Sequence, residues 1–312
     1  MRAAMAVQPS VLREILADDA SAQRAAERLH GRALYLCGTG SSWHAANHGA
    51  FLLRAAGVGA WPVQAADAAH HGPRPAAGDG LILLSHTGAK RVAAQVLERA
   101  RAEGVECVTI GASDRDGMDL PTVPRETSSA YTVSHLAALL RLAQVAEALG
   151  AEVGDLHTVP EAVQAVLDGP PPEVRAPRRL LEFTGAGTNQ WTAAEGALKA
   201  RETARVATEG LAVEQLLHGP AVTLDERDVL VCLDGGGPER ERLEAVAALA
   251  EGDGAAVHRI RDDALGEPLS IFALTVAVQR IALGLADALG TDADAFGYDV
   301  PGRRERWEAV QL

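Results

Sequence analysis

Twice in this chain a short apolar run passes straight into a glycine-rich turn and then into a helical stretch: CGTGSSWHAA at 37–46 and TGAGTNQWTAAEGALK at 184–199. A strand that turns on glycine into a helix is the opening half of a βαβ unit, and successive units of that kind pair their strands in parallel. Further β-rich runs of four to six residues recur between Ala-rich helical stretches. The first half offers 33–37, 81–84 and 107–110, and the second offers 180–184, 229–233 and 257–260. The two halves therefore read as a pseudo-repeat of one α/β domain with a parallel sheet.

The repeat fixes the expected boundaries. Residues 1–28 read as an amphipathic helical segment, 29–150 as the first domain, 151–178 as a linker, 179–300 as the second domain and 301–312 as a basic, Trp-bearing tail. The linker contains a short helical run at 160–167 and then GPPPEVRAPRR, whose prolines cannot continue a helix or a central strand.

Composition excludes several classes. The chain has 29 basic and 42 acidic residues, a formal net charge of −13, and no Lys/Arg stripe with aromatic neighbours, so nucleic acid and anionic membrane are poor partners. No apolar run is expected to reach the roughly 20 residues that span a bilayer, the start does not read as a signal peptide, and the cytoplasm is the expected location. Cys37, Cys107 and Cys232 lie apart in apolar runs and read as buried thiols. Only Lys90 and Lys199 are lysines, so 27 of the 29 basic residues are arginine, and chemistry through a lysine imine has two candidates.

Two loops suit an anion. Gly38-Thr39-Gly40-Ser41-Ser42 ends a strand and opens a helix, aiming amides and hydroxyls above the sheet, but it lacks the third glycine of a dinucleotide fingerprint. Ser85-His86-Thr87-Gly88-Ala89-Lys90 follows the next strand and adds two hydroxyls, an imidazole and a lysine; a phosphate fits this lining best. Where the second half would place such a loop it reads Asp234-Gly235-Gly236-Gly237, and an aspartate is a poor neighbour for phosphate. His44 and His48 stand at i and i+4 without a third ligand, so no metal is expected. Glu126-Thr127-Ser128-Ser129 reads first as helix capping, with substrate contacts from Ser128 and Ser129 as the second reading.

The stretch 195–220, EGALKARETARVATEGLAVEQLLHGP, holds the acid/base candidates on one helix and its continuation. Glu195, Lys199 and Glu202 stand at i, i+4 and i+7 and share one helix face, and His218 follows in a Leu-His-Gly-Pro turn. Carboxylate, ammonium and imidazole can move protons at neutral pH, but the spacing alone is equally that of a solvated Glu/Lys face.

Taken together, CGTGSSWHAA, the SHTG loop, EGALKARE and LLHGP resemble the double sugar-isomerase (SIS) domain family, which includes the isomerase half of glucosamine-6-phosphate synthase and its stand-alone deaminase and isomerase relatives. The resemblance implies two flavodoxin-like, three-layer α/β/α SIS domains. It also implies phosphate binding by Ser85, His86 and Thr87 with Thr39, Ser41 and Ser42 nearby, and no cofactor. It assigns Glu202 as the base that shuttles a proton between sugar C1 and C2, Lys199 as its neighbour, and His218 as the ring-opening group reaching in from the other subunit of a homodimer. The expected activity is isomerisation or deamination of a hexose or hexosamine 6-phosphate.

Departures from the family pattern keep other readings open. The chain begins MRAAMAV, without the N-terminal glutaminase domain and its first-residue cysteine, and the tail DVPGRRERWEAVQL lacks the family's imine-forming lysine. Lys90 stands where the family loop often carries a hydroxyl. The alternatives are a non-catalytic sugar-phosphate sensor and a synthase-type aminotransferase supplied with ammonia separately.

Overall fold

A computed structural model describes residues 1–310 of the chain as two compact α/β units. The N-terminal unit comprises Val7–Thr127, Tyr131–His157 and the segment from Pro301, and the C-terminal unit comprises Met1–Ala6, Ser128–Ala130 and Thr158–Val300. The segment placed in a linker by sequence contains the helix Val159–Asp168, which is part of the C-terminal unit.

In the N-terminal unit the strands β1 (Leu34–Gly38), β2 (Ala60–Gln64), β3 (Gly80–Leu84), β4 (Glu106–Gly111) and the two-residue β5 (Leu120–Pro121) pair in parallel in the order β2-β1-β3-β4-β5. This is the flavodoxin-like order. The helices Ala65–His70 and Arg91–Ala102 cover one face, where Cys37, Leu81 and Leu83 meet Val96 and Ala100. The helices Ser41–Ala55 and Val133–Ala148 pack together on the other face.

The C-terminal unit repeats the plan. Its strands β6 (Leu181–Gly185), β7 (Thr208–Ala212), β8 (Val229–Asp234) and β9 (Ala256–Arg261) run parallel in the order β7-β6-β8-β9. Leu181, Phe183, Val229 and Val231 pack with Leu274, Val278 and Ile281 of the helix Ser270–Leu289 and with Ala193 and Ala197 of the helix Asn189–Thr203. Leu230 and Cys232 pack with Val213, Leu216 and Val246 on the opposite face. The correspondence extends to single atoms. A Cβ on Gly38 would overlap the Ser42 carbonyl four residues on, and a Cβ on Gly185 would overlap the Asn189 carbonyl four residues on, so each helix crosses its strand end at a distance only glycine allows.

One expectation needs correction. Ser270–Leu289 is 20 residues long and apolar enough by length and composition to cross a membrane. It is mostly buried against the sheet and the helix Asn189–Thr203, and burial on nearly all sides accounts for its composition. The three cysteines are buried free thiols, and burial pushes Cys37 and Cys232 up to about 12.

Side-chain alternation along β6 turns Glu182 away from Phe183, to the face shared with Leu230. Glu182 is 1% exposed, and its Oε1 has no hydrogen-bond partner among the described residues. Burial first, and the facing Glu209 second, push its carboxyl up to about 8. A folded-state value above the unfolded one means that the unfolded chain gives up its proton first, so stability present at acid pH is lost as pH rises towards 8, at about 1.4 kcal/mol per unit. Glu182→Gln removes that loss. Its advantage over the parent in denaturant unfolding is expected to grow from pH 6 to pH 8 to the order of a few kcal/mol; equal pH dependence of the two proteins would contradict a buried neutral carboxyl.

Candidate active-site elements

The chain leaves β1 for β2 on one side while β3 lies on the other, so the crevice of the N-terminal sheet opens above the C-terminal ends of β1 and β3. Both expected anion loops sit there. After β1, the Ser42 N–H donates to the Thr39 carbonyl at 3.2 Å and the Trp43 N–H to the Gly40 carbonyl at 2.8 Å, which starts the helix with Thr39 exposed and Ser41 and Ser42 partly exposed. After β3, the Ser85 N–H donates to the Ile110 carbonyl at 3.0 Å and the Ala112 N–H to the His86 carbonyl at 3.1 Å, tying the second loop to the end of β4. The Ala89 N–H donates to Thr87 Oγ1 at 3.3 Å, and Lys90 stands exposed immediately before the helix Arg91–Ala102.

His86 is held as a particular tautomer. Its Nε2 accepts the Glu126 N–H at 3.2 Å, which assigns the proton of the neutral ring to Nδ1, and its ring meets Tyr131 edge-on at 5.4 Å. Nδ1 is buried and has no hydrogen-bond partner among the described residues. Burial holds the ring below the usual histidine range; Glu126 and Asp114 oppose this, and Arg115 and Arg125 reinforce it. At neutral pH His86 is therefore a neutral ring that accepts through Nε2.

The segment that follows does its work locally. The Glu126 carboxylate accepts the Thr132 N–H at 3.1 Å and the Ser134 N–H at 2.9 Å, capping the helix Val133–Ala148 from outside the usual cap position. Ser128 is buried; its Oγ accepts the Ala130 N–H at 3.3 Å and its side chain hydrogen-bonds Asp294, while Ser129 is half-buried and also belongs to the C-terminal unit.

In the C-terminal unit the helix Asn189–Thr203 carries the expected charged face, and the solvated version of it is excluded. Glu195 and Lys199 are fully buried and Glu202 is 16% exposed. Lys199 Nζ lies 2.5 Å from Glu202 Oε2 and 3.6 Å from Glu195 Oε1, one ammonium between two carboxyl groups. This fixes Glu202 with one edge towards solvent, the geometry of a held proton acceptor.

The stretch beyond this helix is not its continuation. Thr208–Ala212 is the edge strand β7, and the short helix Val213–Leu217 follows. His218 sits at the end of that helix, 73% exposed, with Nε2 3.1 Å from Glu214 Oε1. Glu214 is in turn paired with Arg242 at 2.7 Å. The pairing of His218 is thus with Glu214, one helical turn earlier and not among the expected site residues.

The C-terminal counterpart of the anion crevice is acidic. Asp234, Glu239 and Glu267 line it with Arg240. Asp234 Oδ1 accepts the Gly236 N–H at 2.9 Å, and Oδ2 pairs with Arg240 Nε at 2.7 Å. Burial, with Glu239 as the next contributor, raises the Glu267 carboxyl above its ordinary range. The unit's own carboxylates therefore stand where its partner unit presents hydroxyls and a lysine.

Comparison with known proteins agrees with this architecture. The family model of the SIS domain matches residues 30–148. Among curated proteins, the glutamine–fructose-6-phosphate aminotransferase [isomerizing] of Corynebacterium diphtheriae is 28% identical over 259 residues, covering 69% of this chain. The chain spans 41% of the length of that relative and 50% of the corresponding Nostoc protein. Among solved structures, the C-terminal domain of glucosamine-fructose-6-phosphate aminotransferase from Francisella tularensis superimposes with a TM-score of 0.77 at 17% identity, covering 93% of this chain and 96% of that one. Tagatose-6-phosphate ketose/aldose isomerase from Escherichia coli gives 0.75 at 18% identity, covering 94% of each chain. Residues 30–148 thus match the SIS-domain model, within a chain whose α/β fold is shared with these proteins.

Proposed function

We propose that the chain is a double-SIS, cofactor-free sugar-phosphate isomerase or deaminase that works as a homodimer. The observation that carries this is Glu202, held partly exposed by a buried lysine on a helix that follows a glycine-bounded strand end. An aldose–ketose exchange asks for a carboxylate that moves a carbon-bound proton through an enediol and for a donor at the ring oxygen. Glu202 takes the first role. His218 takes the second, from the partner subunit: its exposure, and its pairing with the solvent-facing Glu214, support presentation outward. The phosphate lies on Ser85–Lys90 with Thr39, Ser41 and Ser42, whose hydroxyls and amides suit a dianion. Named relatives act as aminotransferase and as ketose/aldose isomerase, which supports the substrate class and leaves the fate of nitrogen to experiment.

A screen of hexose and hexosamine 6-phosphates tests this, reading C2-proton exchange in deuterated water, aldose–ketose interconversion and ammonia release in parallel. Exchange with at least one of them is expected. Thermal stabilisation by these ligands without exchange or turnover would replace the enzyme by a sugar-phosphate sensor.

A further inference from the structure

We propose that Arg115, beyond the end of β4, is the positioning residue of the phosphate loop: it turns the His86 and Thr87 amides outward and supplies the cation that selects a phosphodianion. The inference rests on the sugar-phosphate reading of the loop.

Arg115 Nη1 donates to the Ser85 carbonyl, and at 3.5 Å approaches the His86 carbonyl, which also accepts the Ala112 N–H. In a planar trans peptide the C=O and the next N–H point opposite ways. Carbonyls drawn towards Arg115 therefore turn the N–H groups of His86 and Thr87 to the far side of the loop. Among the described residues neither amide donates to any group of the chain. Two successive free amides on one side of a turn form an anion-binding concavity.

The fit beneath the loop is close. Gly88 has φ of +67°, and a Cβ there would fall on the Arg115 guanidinium, so a larger residue would strain the turn and displace the arginine. Arg115 is half-buried and makes no ion pair with a carboxylate among the described residues. Burial, and then Arg125, hold it below the usual arginine range, with Asp114 the smaller opposing influence, so the cation is only partly compensated. Burying charge this way is unfavourable unless a ligand supplies the opposite sign. A phosphodianion on the outward amides would do so, and an uncharged sugar would not.

The test measures calorimetric Kd values for inorganic phosphate and glucose 6-phosphate with the parent chain, Arg115→Met, Arg115→Lys and Arg125→Met, beside ligand-free unfolding midpoints. Arg115→Met is expected to weaken both ligands tenfold or more, and Arg125→Met less than threefold. Arg115→Lys, which keeps the charge but loses the two-carbonyl fork, should recover affinity only in part, a graded rescue that a merely structural role would not produce. If Arg115→Met does not fold, Arg115→Lys and Gly88→Ala decide, each expected to weaken phosphate severalfold with the positive charge retained. Parent-like Kd values in a folded Arg115 variant would overturn the role of Arg115 alone. Failure of the parent chain to bind either ligand would overturn the sugar-phosphate reading together with it.

Discussion

Glu202→Gln is expected to lower the rate of C2-proton exchange and of sugar-phosphate turnover by about 10²–10⁴-fold while leaving the Kd for the substrate within about threefold. The amide preserves the length and planarity of the side chain and keeps an oxygen for Lys199 Nζ, now 2.5 Å from the carboxylate. What it removes is the basicity of the carboxylate, which is needed to accept a carbon-bound proton. Binding energy from the loop after β3 is untouched, because that loop belongs to the other unit. Loss of an interaction made only in the transition state lowers kcat and kcat/KM together, and that pattern separates a base from a residue that merely holds the ligand. His218→Asn provides the contrast. It should depress turnover of the closed ring sugar far more than exchange from the open-chain form, since ring opening precedes enolisation. A Glu202→Gln protein that exchanges the C2 proton at the parent rate would remove Glu202 from the mechanism.

How much of this was legible in the sequence depends on where each element lies in its sheet. β1, β3, β6 and β8 have strands on both sides and helices on both faces, so they read as continuous apolar runs, and the expected positions agree to within a residue or two. β2 and β7 escaped. Both are edge strands, and an edge tolerates what a central strand cannot: Pro62 in Ala60–Gln64, Glu209 and Gly210 in Thr208–Ala212. On sequence the first is not marked as a strand, and the second reads as the continuation of the preceding helix.

The site shows the same division. Spacing alone brought Glu195, Lys199 and Glu202 to one helix face, but burial decides between a solvated face and a held acid, and that depends on the helix Ser270–Leu289 packing alongside, about 80 residues later in sequence. Arg115 was invisible because its partners are the carbonyls of Ser85 and His86, roughly 30 residues upstream, and carbonyls leave no residue type to recognise. The one available signal was its position just beyond a predicted strand whose neighbour carries the SHTG loop. Glu214, by contrast, sits four residues before His218 on a helical turn, a spacing that sequence alone offers once the turn is known to be helical.

Lys199→Met is expected to destabilise the C-terminal unit by about 3–5 kcal/mol. Methionine fits the volume of the buried stem, so the change tests charge rather than packing. Lys199 is wholly buried, with Glu195 Oε1 at 3.6 Å and Glu202 Oε2 at 2.5 Å, and Glu195 is also wholly buried. Withdrawing the ammonium leaves two carboxyl groups facing each other across a low-dielectric space, where an unneutralised charge is far more costly than in water. The fold can respond by retaining a proton on one of them, which would also disable Glu202 as a base at neutral pH. The double substitution Glu195→Gln with Lys199→Met separates the two effects. It removes the deepest carboxyl group along with its counter-charge, so about half or more of the lost stability should return in denaturant unfolding, with a coupling energy beyond 1 kcal/mol between the sites. Activity should not return, because Glu202 has still lost the cation that fixes it. If the two substitutions instead add independently, the stability lost with Lys199 does not come from its pairing with Glu195, and the buried-charge account of that loss fails.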